Sequence, residues 1–275
     1  MSRRWLITGC STGLGRALAE AAAAAGHRVL ATARSPETLG GLGARFAANV
    51  VIKKLDVRDP VDCASAVAAA VRAFGGVDVL VNNAAYGQLG AVEEVGDEEL
   101  ARQFETNVFG TWRLTRLVLP LMRSQGRGDV LMVSSAAGHM AFPGLGAYTA
   151  TKYAVEGLAD TLGMELAGTG VHVTILEPGM FATNWGESAV DSYRHVEAYR
   201  PVVDPFLAGV RGLADRATAN PPLLFAETVM RYVEGEHRPS RLPIGADGWQ
   251  MALDSAEKTR AEIHDAAKAA GVLVG

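Results

Sequence analysis

Four side chains in this sequence have the types and spacing of a proton-handling group. Tyr148 and Lys152 stand four residues apart in a segment of helical composition, so both lie on one face of a helix. Ser134 and Ser135 close an apolar run, where a strand of an open α/β sheet presents its residues at the ligand-binding carboxyl edge. A phenol, with an ordinary pKa of about 10, is a poor acid–base group at neutral pH. An ammonium about 4 Å away at an effective dielectric of about 20 favours the phenolate by about 4 kcal/mol, roughly three pKa units. The residue types therefore suit proton exchange with a carbonyl or alcohol oxygen, in which lysine tunes, tyrosine transfers and a serine hydroxyl holds the oxygen. Alone, Y-x-x-x-K also describes a solvated helix edge, so the combination carries the reading.

A second constellation has the features of a binding loop. Thr8-Gly9-Cys10-Ser11-Thr12-Gly13-Leu14-Gly15 follows the first apolar run and opens the first helical segment. A dinucleotide pyrophosphate needs close backbone, free N–H donors and the positive end of a helix dipole. Glycines allow that approach because a Cβ would collide or forbid the dihedral angles. The spacing is G-x-x-x-G-x-G, which on its own also fits a plain tight turn; the strand–loop–helix context favours phosphate.

The cofactor preference is read from the end of the second strand. A carboxylate there would accept hydrogen bonds from the ribose 2′-hydroxyl of NAD. Here the strand ends Leu30-Ala31-Thr32-Ala33-Arg34-Ser35, with no carboxylate before Glu37. The Arg34 guanidinium suits a 2′-phosphate, so NADP(H) is the expected cofactor, with NAD(H) the alternative.

These residues require a frame. Short apolar runs at 4–8, 28–33, 50–55, 78–81, 129–134, 171–176 and 241–245 alternate with helical segments at 14–25, 60–74, 97–123 and 147–168. Runs that do not alternate polar with apolar suit strands covered on both faces, and their alternation with helices implies an α/β doubly wound parallel sheet of about seven strands. Seven of the eleven prolines fall between 178 and 243, which marks a looped excursion with short helices. The expectation is one domain over 1–275, with a substrate lid at about 180–235 and a C-terminal helix at about 249–270.

The whole pattern resembles the short-chain dehydrogenase/reductase family in its single-domain, Rossmann-like form. The matching residues are the loop Thr8–Gly15, Asp56, Asn82-Asn83-Ala84, Asn107 within Glu105-Thr106-Asn107-Val108-Phe109-Gly110, Ser135, Tyr148, Lys152 and Pro178-Gly179. The match covers about 4–183 and, weakly, 236–248. The resemblance implies a catalytic tetrad. Ser135 orients the substrate oxygen and Tyr148 exchanges its proton. Lys152 lowers the tyrosine pKa and holds the nicotinamide ribose, and Asn107 anchors a relay water. It further implies cofactor contacts from Gly9, Ser11, Thr12, Gly13, Leu14, Gly15, Arg34, Asp56, Val57, Asn83, Ala84, Pro178, Gly179, Phe181 and Thr183, besides Tyr148 and Lys152. Asp56 is also placed where it would cap the following helix. The chain departs from the family at Ala85, where glycine is usual. A cofactor-sensing regulator and an epimerase or dehydratase on the same fold are the rival readings. The four tetrad residues weigh against the first, and the loop spacing with the absence of a longer substrate domain weighs against the second.

Composition narrows the partners. A net charge of -4 builds no strongly basic face for nucleic acid. No uncharged apolar stretch reaches membrane-spanning length, and Cys10 and Cys63 stand apart without metal-ligand spacing, so a protein of the reducing cytoplasm is expected. Phe181, Trp185, Tyr193, Tyr199 and Phe206 either line a lid over a bulky apolar substrate or pack that lid on the body. Tyr86, Gln88, His139, Met140 and Phe142 follow strand ends and are further pocket candidates. The long helices and terminal helix suggest a homodimer or homotetramer.

Overall fold

The computed structural model describes residues 2–272. Seven parallel strands form one sheet: β1 (Arg4–Ile7), β2 (Arg28–Ala33), β3 (Val50–Lys54), β4 (Val79–Asn82), β6 (Gly128–Val133), β7 (Val171–Pro178) and β9 (Arg241–Ile244). Their spatial order is β3-β2-β1-β4-β6-β7-β9, so the winding reverses between β1 and β4, and ligands bind at such a switch point. Two further strands, β5 (Gln88–Leu89) and β8 (Val190–Asp191), pair in parallel as a separate ribbon.

The strands read as continuous apolar runs because both faces are covered. Trp5 and Ile7 of β1 enter one core cluster while Leu6 between them enters the other. On the first face lie α1 (Gly13–Ala24), α2 (Gly40–Arg45) and α9 (Pro222–Glu234); on the second lie α3 (Pro60–Phe74), α5 (Gly110–Gln125) and α6 (Gly146–Glu165). Alanines at 19, 22 and 23 let α1 come close to the sheet and to α9, through Phe225, Ala226 and Val229. Truncating a fully buried side chain such as Leu6 to alanine would cost about 2–5 kcal/mol.

Local chemistry sets the helix ends. Asp59 caps α3, accepting from Val61 N at 2.8 Å, Pro60 follows at the first helical position, and Gly75 ends the helix at φ 80°. The cap is therefore Asp59, and Asp56 is left free of that task.

The single helix expected over 97–123 is interrupted. It consists of α4 (Asp97–Phe104), a π-helical turn over Glu105–Phe109 and then α5. A π turn inserts one residue per turn and re-aims the side chains in it; here it contains Asn107.

After β7 the chain makes the expected excursion: α7 (Trp185–Ser188), β8, α8 (Arg200–Arg211) and α9. The ribbon β5–β8 ties it to the loop after β4. The buried Glu94 carboxylate adds to this, accepting from Ala91 N at 2.8 Å and Val196 N at 2.7 Å and pairing with Arg200. The terminal helix α10 (Ala246–Ala269) begins three residues before the expected start. No helix among the described residues is long and apolar enough to cross a membrane.

Candidate active site

A cleft of roughly 570 Å³ runs along the carboxyl ends of the strands. Of the residues marked in the sequence as catalytic or cofactor-binding, it is lined by Gly9, Ser11, Thr12, Gly13, Leu14, Arg34, Asp56, Val57, Asn83, Ala84, Ser135, Tyr148, Lys152, Pro178, Gly179, Phe181 and Thr183. Segments as distant as residues 9 and 183 therefore meet in one concavity.

The glycine loop is held from below. Asn83 Nδ2 donates to Thr8 O at 2.8 Å and Gly9 O at 3.1 Å, and the amides of Asn83 and Ala84 both donate to Thr8 Oγ1 at 2.9 Å. Gly9 has φ 70°, and a Cβ there would lie 2.9 Å from Asn83 Nδ2 and 3.0 Å from Ala84 Cα. Gly15 does not line the cleft. A Cβ on it would strike Asn83 Nδ2 and Gly9 O, so it serves the packing of α1 under the loop. Thr12 occupies the N-cap of α1 without a side-chain hydrogen bond, which leaves the helix N-terminus to a ligand. Ala85 also lines the cleft. No residue other than glycine has positive φ among the described residues, so its methyl group costs no backbone strain.

At the far end, Arg34 is exposed and takes part in none of the ion pairs found among the described residues. Asp56 is paired with Arg58, Oδ2 to Nη2 at 2.6 Å, and this guanidinium holds its carboxyl below the usual range. Arg58, which no motif in the sequence marks, also lines the cleft.

At the other end, α6 delivers Tyr148 and Lys152 from one face, both buried. Burial raises the Tyr148 phenol well above its ordinary value, opposed by hydrogen bonding with Ser135. Lys152 Nζ donates to Val133 O at 2.7 Å and lies 5.4 Å from the Tyr148 ring centroid. Burial draws its pKa down to about 8. Burial of the phenol thus opposes the lowering expected from the lysine. The carbonyl closing β6 takes the ammonium, and desolvation governs the phenol. Ser135 caps the turn 136–138, its Oγ accepting from Ala137 N at 3.2 Å.

Asn107 does not line the cleft. Its Nδ2 donates to Tyr86 O and Thr151 Oγ1, both at 3.0 Å, and its Oδ1 accepts from Tyr86 N at 3.1 Å. Thr151 Oγ1 donates in turn to Tyr148 O at 2.7 Å. The side chain expected to anchor a water is engaged with the protein and braces the helix turn that carries Tyr148.

Of the expected substrate residues, Tyr86, Phe142, Phe181, Trp185 and Phe206 line the cleft, and the rings of Phe142 and Phe206 stack at 5.5 Å. Tyr193 is 80% exposed, and Tyr199 turns outward to Glu93 Oε2 at 2.6 Å; neither lines the cleft. Gln88 is buried against Glu99, while His139 and Met140 also stay outside the lining. The structure adds Leu145, Met180, Pro205, Arg216 and, from the terminal helix, Met251. Leu145 lies one helical turn before Tyr148, a signal the sequence offered; Met251 had none.

Comparison with known proteins agrees with this geometry. The family model described as short chain dehydrogenase matches residues 3–194. The oxidoreductase BOA17 of Botryotinia fuckeliana is 36% identical over 258 residues, covering 94% of each chain. A short-chain dehydrogenase from Streptomyces avermitilis superposes with a TM-score of 0.89 at 39% identity, covering 98% of this chain and 97% of that one. Two more distant structures, each 26% identical and covering 88% of this chain, were solved with different cofactors. A Burkholderia phymatum short chain dehydrogenase/reductase, covered over 88% of its length at a TM-score of 0.76, holds NAD. A Thermococcus sibiricus alcohol dehydrogenase, covered over 95% at 0.72, holds 5-hydroxy-NADP. The cleft, the sheet order and these likenesses agree: the chain belongs to the short-chain dehydrogenase family and is an oxidoreductase of that family.

Proposed function

We propose that this chain moves a hydride between the nicotinamide of NADP(H) and a carbonyl or secondary alcohol carbon of a bulky, largely apolar substrate. The observation that carries the reading is the convergence of Ser135, Tyr148 and Lys152 on a cleft whose other residues include the glycine loop and Arg34. The free N-terminus of α1 and the bare Gly9 backbone fit a pyrophosphate, and Arg34 fits a 2′-phosphate with no carboxylate beside it on the strand.

When bound, the reduced nicotinamide supplies a hydride to the carbonyl carbon. Tyr148 gives its proton to the carbonyl oxygen, which completes the alcohol, and the Ser135 hydroxyl holds that oxygen by a hydrogen bond. Burial keeps the proton on the phenol at neutral pH, which suits reduction. Lys152 holds the ribose, and its charge supports the phenolate left after transfer. Asn107, through Thr151, fixes the turn from which Tyr148 reaches in. Residues 180–235 act as a lid of the single domain, with Trp185 and Phe206 facing the apolar substrate.

Exposed apolar side chains on α5 and α6, namely Trp112, Leu117, Tyr153 and Met164, suit burial against a second copy of the chain. The free, buried thiols of Cys10 and Cys63 suit a reducing cytoplasm.

The test is a panel of bulky and small ketones with NADPH and NADH, followed at the reduced-nicotinamide absorbance. Stoichiometric NADPH consumption with bulky ketones is expected. No consumption with any carbonyl, or a preference for small ones, contradicts the reading.

A further inference from the structure

Next to Lys152 lies a cluster of charges that the reaction above does not use and that does not line the cleft. Arg241 on β9 is shared by three carboxylates. Its Nη1 meets Glu156 of α6 and, at 2.9 Å, Glu177 of β7, while Nη2 meets Asp160 at 2.6 Å. Asp160 is 45% exposed and can be hydrated, whereas Glu156 and Glu177 are 7% and 3% exposed. Two buried carboxylates face one guanidinium, and burial raises both carboxyls, so keeping both charged calls for a second cation nearby.

The next cation is on the same helix. Lys152 precedes Glu156 by four residues, so the two share a face of α6, and Lys152 is 3% exposed. The Ser134 hydroxyl reaches the same place, since a Cβ added to Gly138 would strike both Ser134 Oγ and Glu156 Oε1. The other titratable groups around the pair are Tyr148 and Asp160 on α6, Glu177 on β7, Arg241 on β9 and His139 in the turn after β6. Tyr148 carries no positive charge in either form and burial favours neutral His139, so neither supplies a second cation.

We propose that Glu156 is a positioning residue for the reaction: its carboxylate, anchored by Arg241, is the counter-charge that keeps Lys152 an ammonium beside Tyr148. This rests on the role given to Lys152 above. A unit charge about 6 Å away at an effective dielectric of about 20 changes proton affinity by about a hundredfold. That opposes the burial which draws Lys152 down to about 8, and without it the ammonium would be lost at lower pH.

The chain has only five lysines, so lysine-selective ¹³C labelling resolves them; the Lys152 signal is the one missing from Lys152→Met. Its titration in the intact protein reads the ammonium without turnover and is judged separately from the redox reading. In Glu156→Gln the Lys152 midpoint is expected to fall by about one pH unit or more, a tenfold loss of proton affinity, while Glu156→Asp stays within about threefold of wild type. The alkaline limb of kcat/KM moves with it, and activity recovers on acidification. Glu177→Gln, which removes the other carboxylate that shares Arg241, shifts the midpoint in the same direction by less, and it carries the test if Glu156→Gln does not fold. A folded Glu156→Gln that loses kcat equally at every pH with an unmoved Lys152 midpoint overturns the proposal. An unmoved midpoint in Glu177→Gln overturns the charge-balance argument on which it rests.

Discussion

The Trp185 indole lies against the Tyr148 ring, centroids 4.8 Å apart and planes inclined at 55°. The excursion after β7 thereby touches the phenol proposed to exchange the proton. Gly87 makes room for it, since a Cβ there would lie 2.5 Å from the indole Cζ2. Trp185 lines the cleft beside Tyr148, so under the proposed function it would bear on the substrate admitted. Trp185→Ala is expected to raise KM for a bulky aryl ketone about tenfold or more and to change a small ketone by less than about threefold. Tyr193→Ala, on the exposed side of the same lid, should change neither. Steady-state kinetics on matched ketones check this, and equal losses on both would count against an apolar substrate wall.

Tyr148→Phe removes only the phenolic hydroxyl. Turnover should fall about 10²–10⁴-fold while NADPH binding, followed by fluorescence titration, stays close to wild type. Retention of more than about a tenth of the activity would remove Tyr148 from the role of proton donor.

Arg34 is exposed at the end of β2 and lines the cleft. Loss of one charge-assisted contact worth about 1.5–3 kcal/mol predicts that Arg34→Ala lowers kcat/KM for NADPH roughly 10–150-fold. NADH should change little. A wild type that favours NADH, or a variant weakened equally toward both, refutes the assignment.

Lys152 titrates near 8 because it is buried. Its folded pKa lies below the ordinary lysine value, so the ammonium is present below about 8 and lost as pH rises through it. NADPH affinity should therefore fall above about pH 8, and Lys152→Met should flatten that limb while weakening binding at neutral pH. Dissociation constants measured from pH 6 to 10 decide the point. A flat profile in the wild type would show that the ammonium does not hold the cofactor.

Self-association is expected through α5 and α6, where Trp112 is 47% and Met164 73% exposed. Trp112→Glu should move the protein toward monomer in sedimentation. A wild type that sediments as a monomer ends the idea. A truncation to test the terminal helix must begin beyond Ser255. Earlier, Asp247 accepts from Met180 N at 2.5 Å, Met251 lines the cleft and Ser255 Oγ donates to His139 O at 2.5 Å, so an earlier cut would damage the site as well.

Much of this was legible in the sequence, for physical reasons that act locally. A strand covered on both faces must be apolar throughout, so β1, β2, β4, β6 and β7 announced themselves together with the parallel sheet they imply. A tight strand-to-helix loop that turns through positive φ needs residues without a Cβ, hence Gly9 and Gly13. Residues four apart on a helix share a face whatever the fold, so Tyr148 and Lys152 could be paired before any coordinates.

What depends on contacts between distant segments was decided only by the tertiary structure. Nothing along the chain tells that Asn107 sits in a π turn and spends its amide on Tyr86 and Thr151, or that a Cβ on Gly15 would strike Asn83 Nδ2. Spacing placed Lys152 near Tyr148, but the carbonyl of Val133 decided where its ammonium goes. The aromatics of the lid look alike in sequence; Trp185 and Phe206 turn in while Tyr193 and Tyr199 turn out, because the β5–β8 ribbon and Glu94 fix which side of the excursion faces the sheet. The sharing of Arg241 between Glu156 and Glu177 joins three elements up to 85 positions apart in the chain, a separation over which no local pattern carries information.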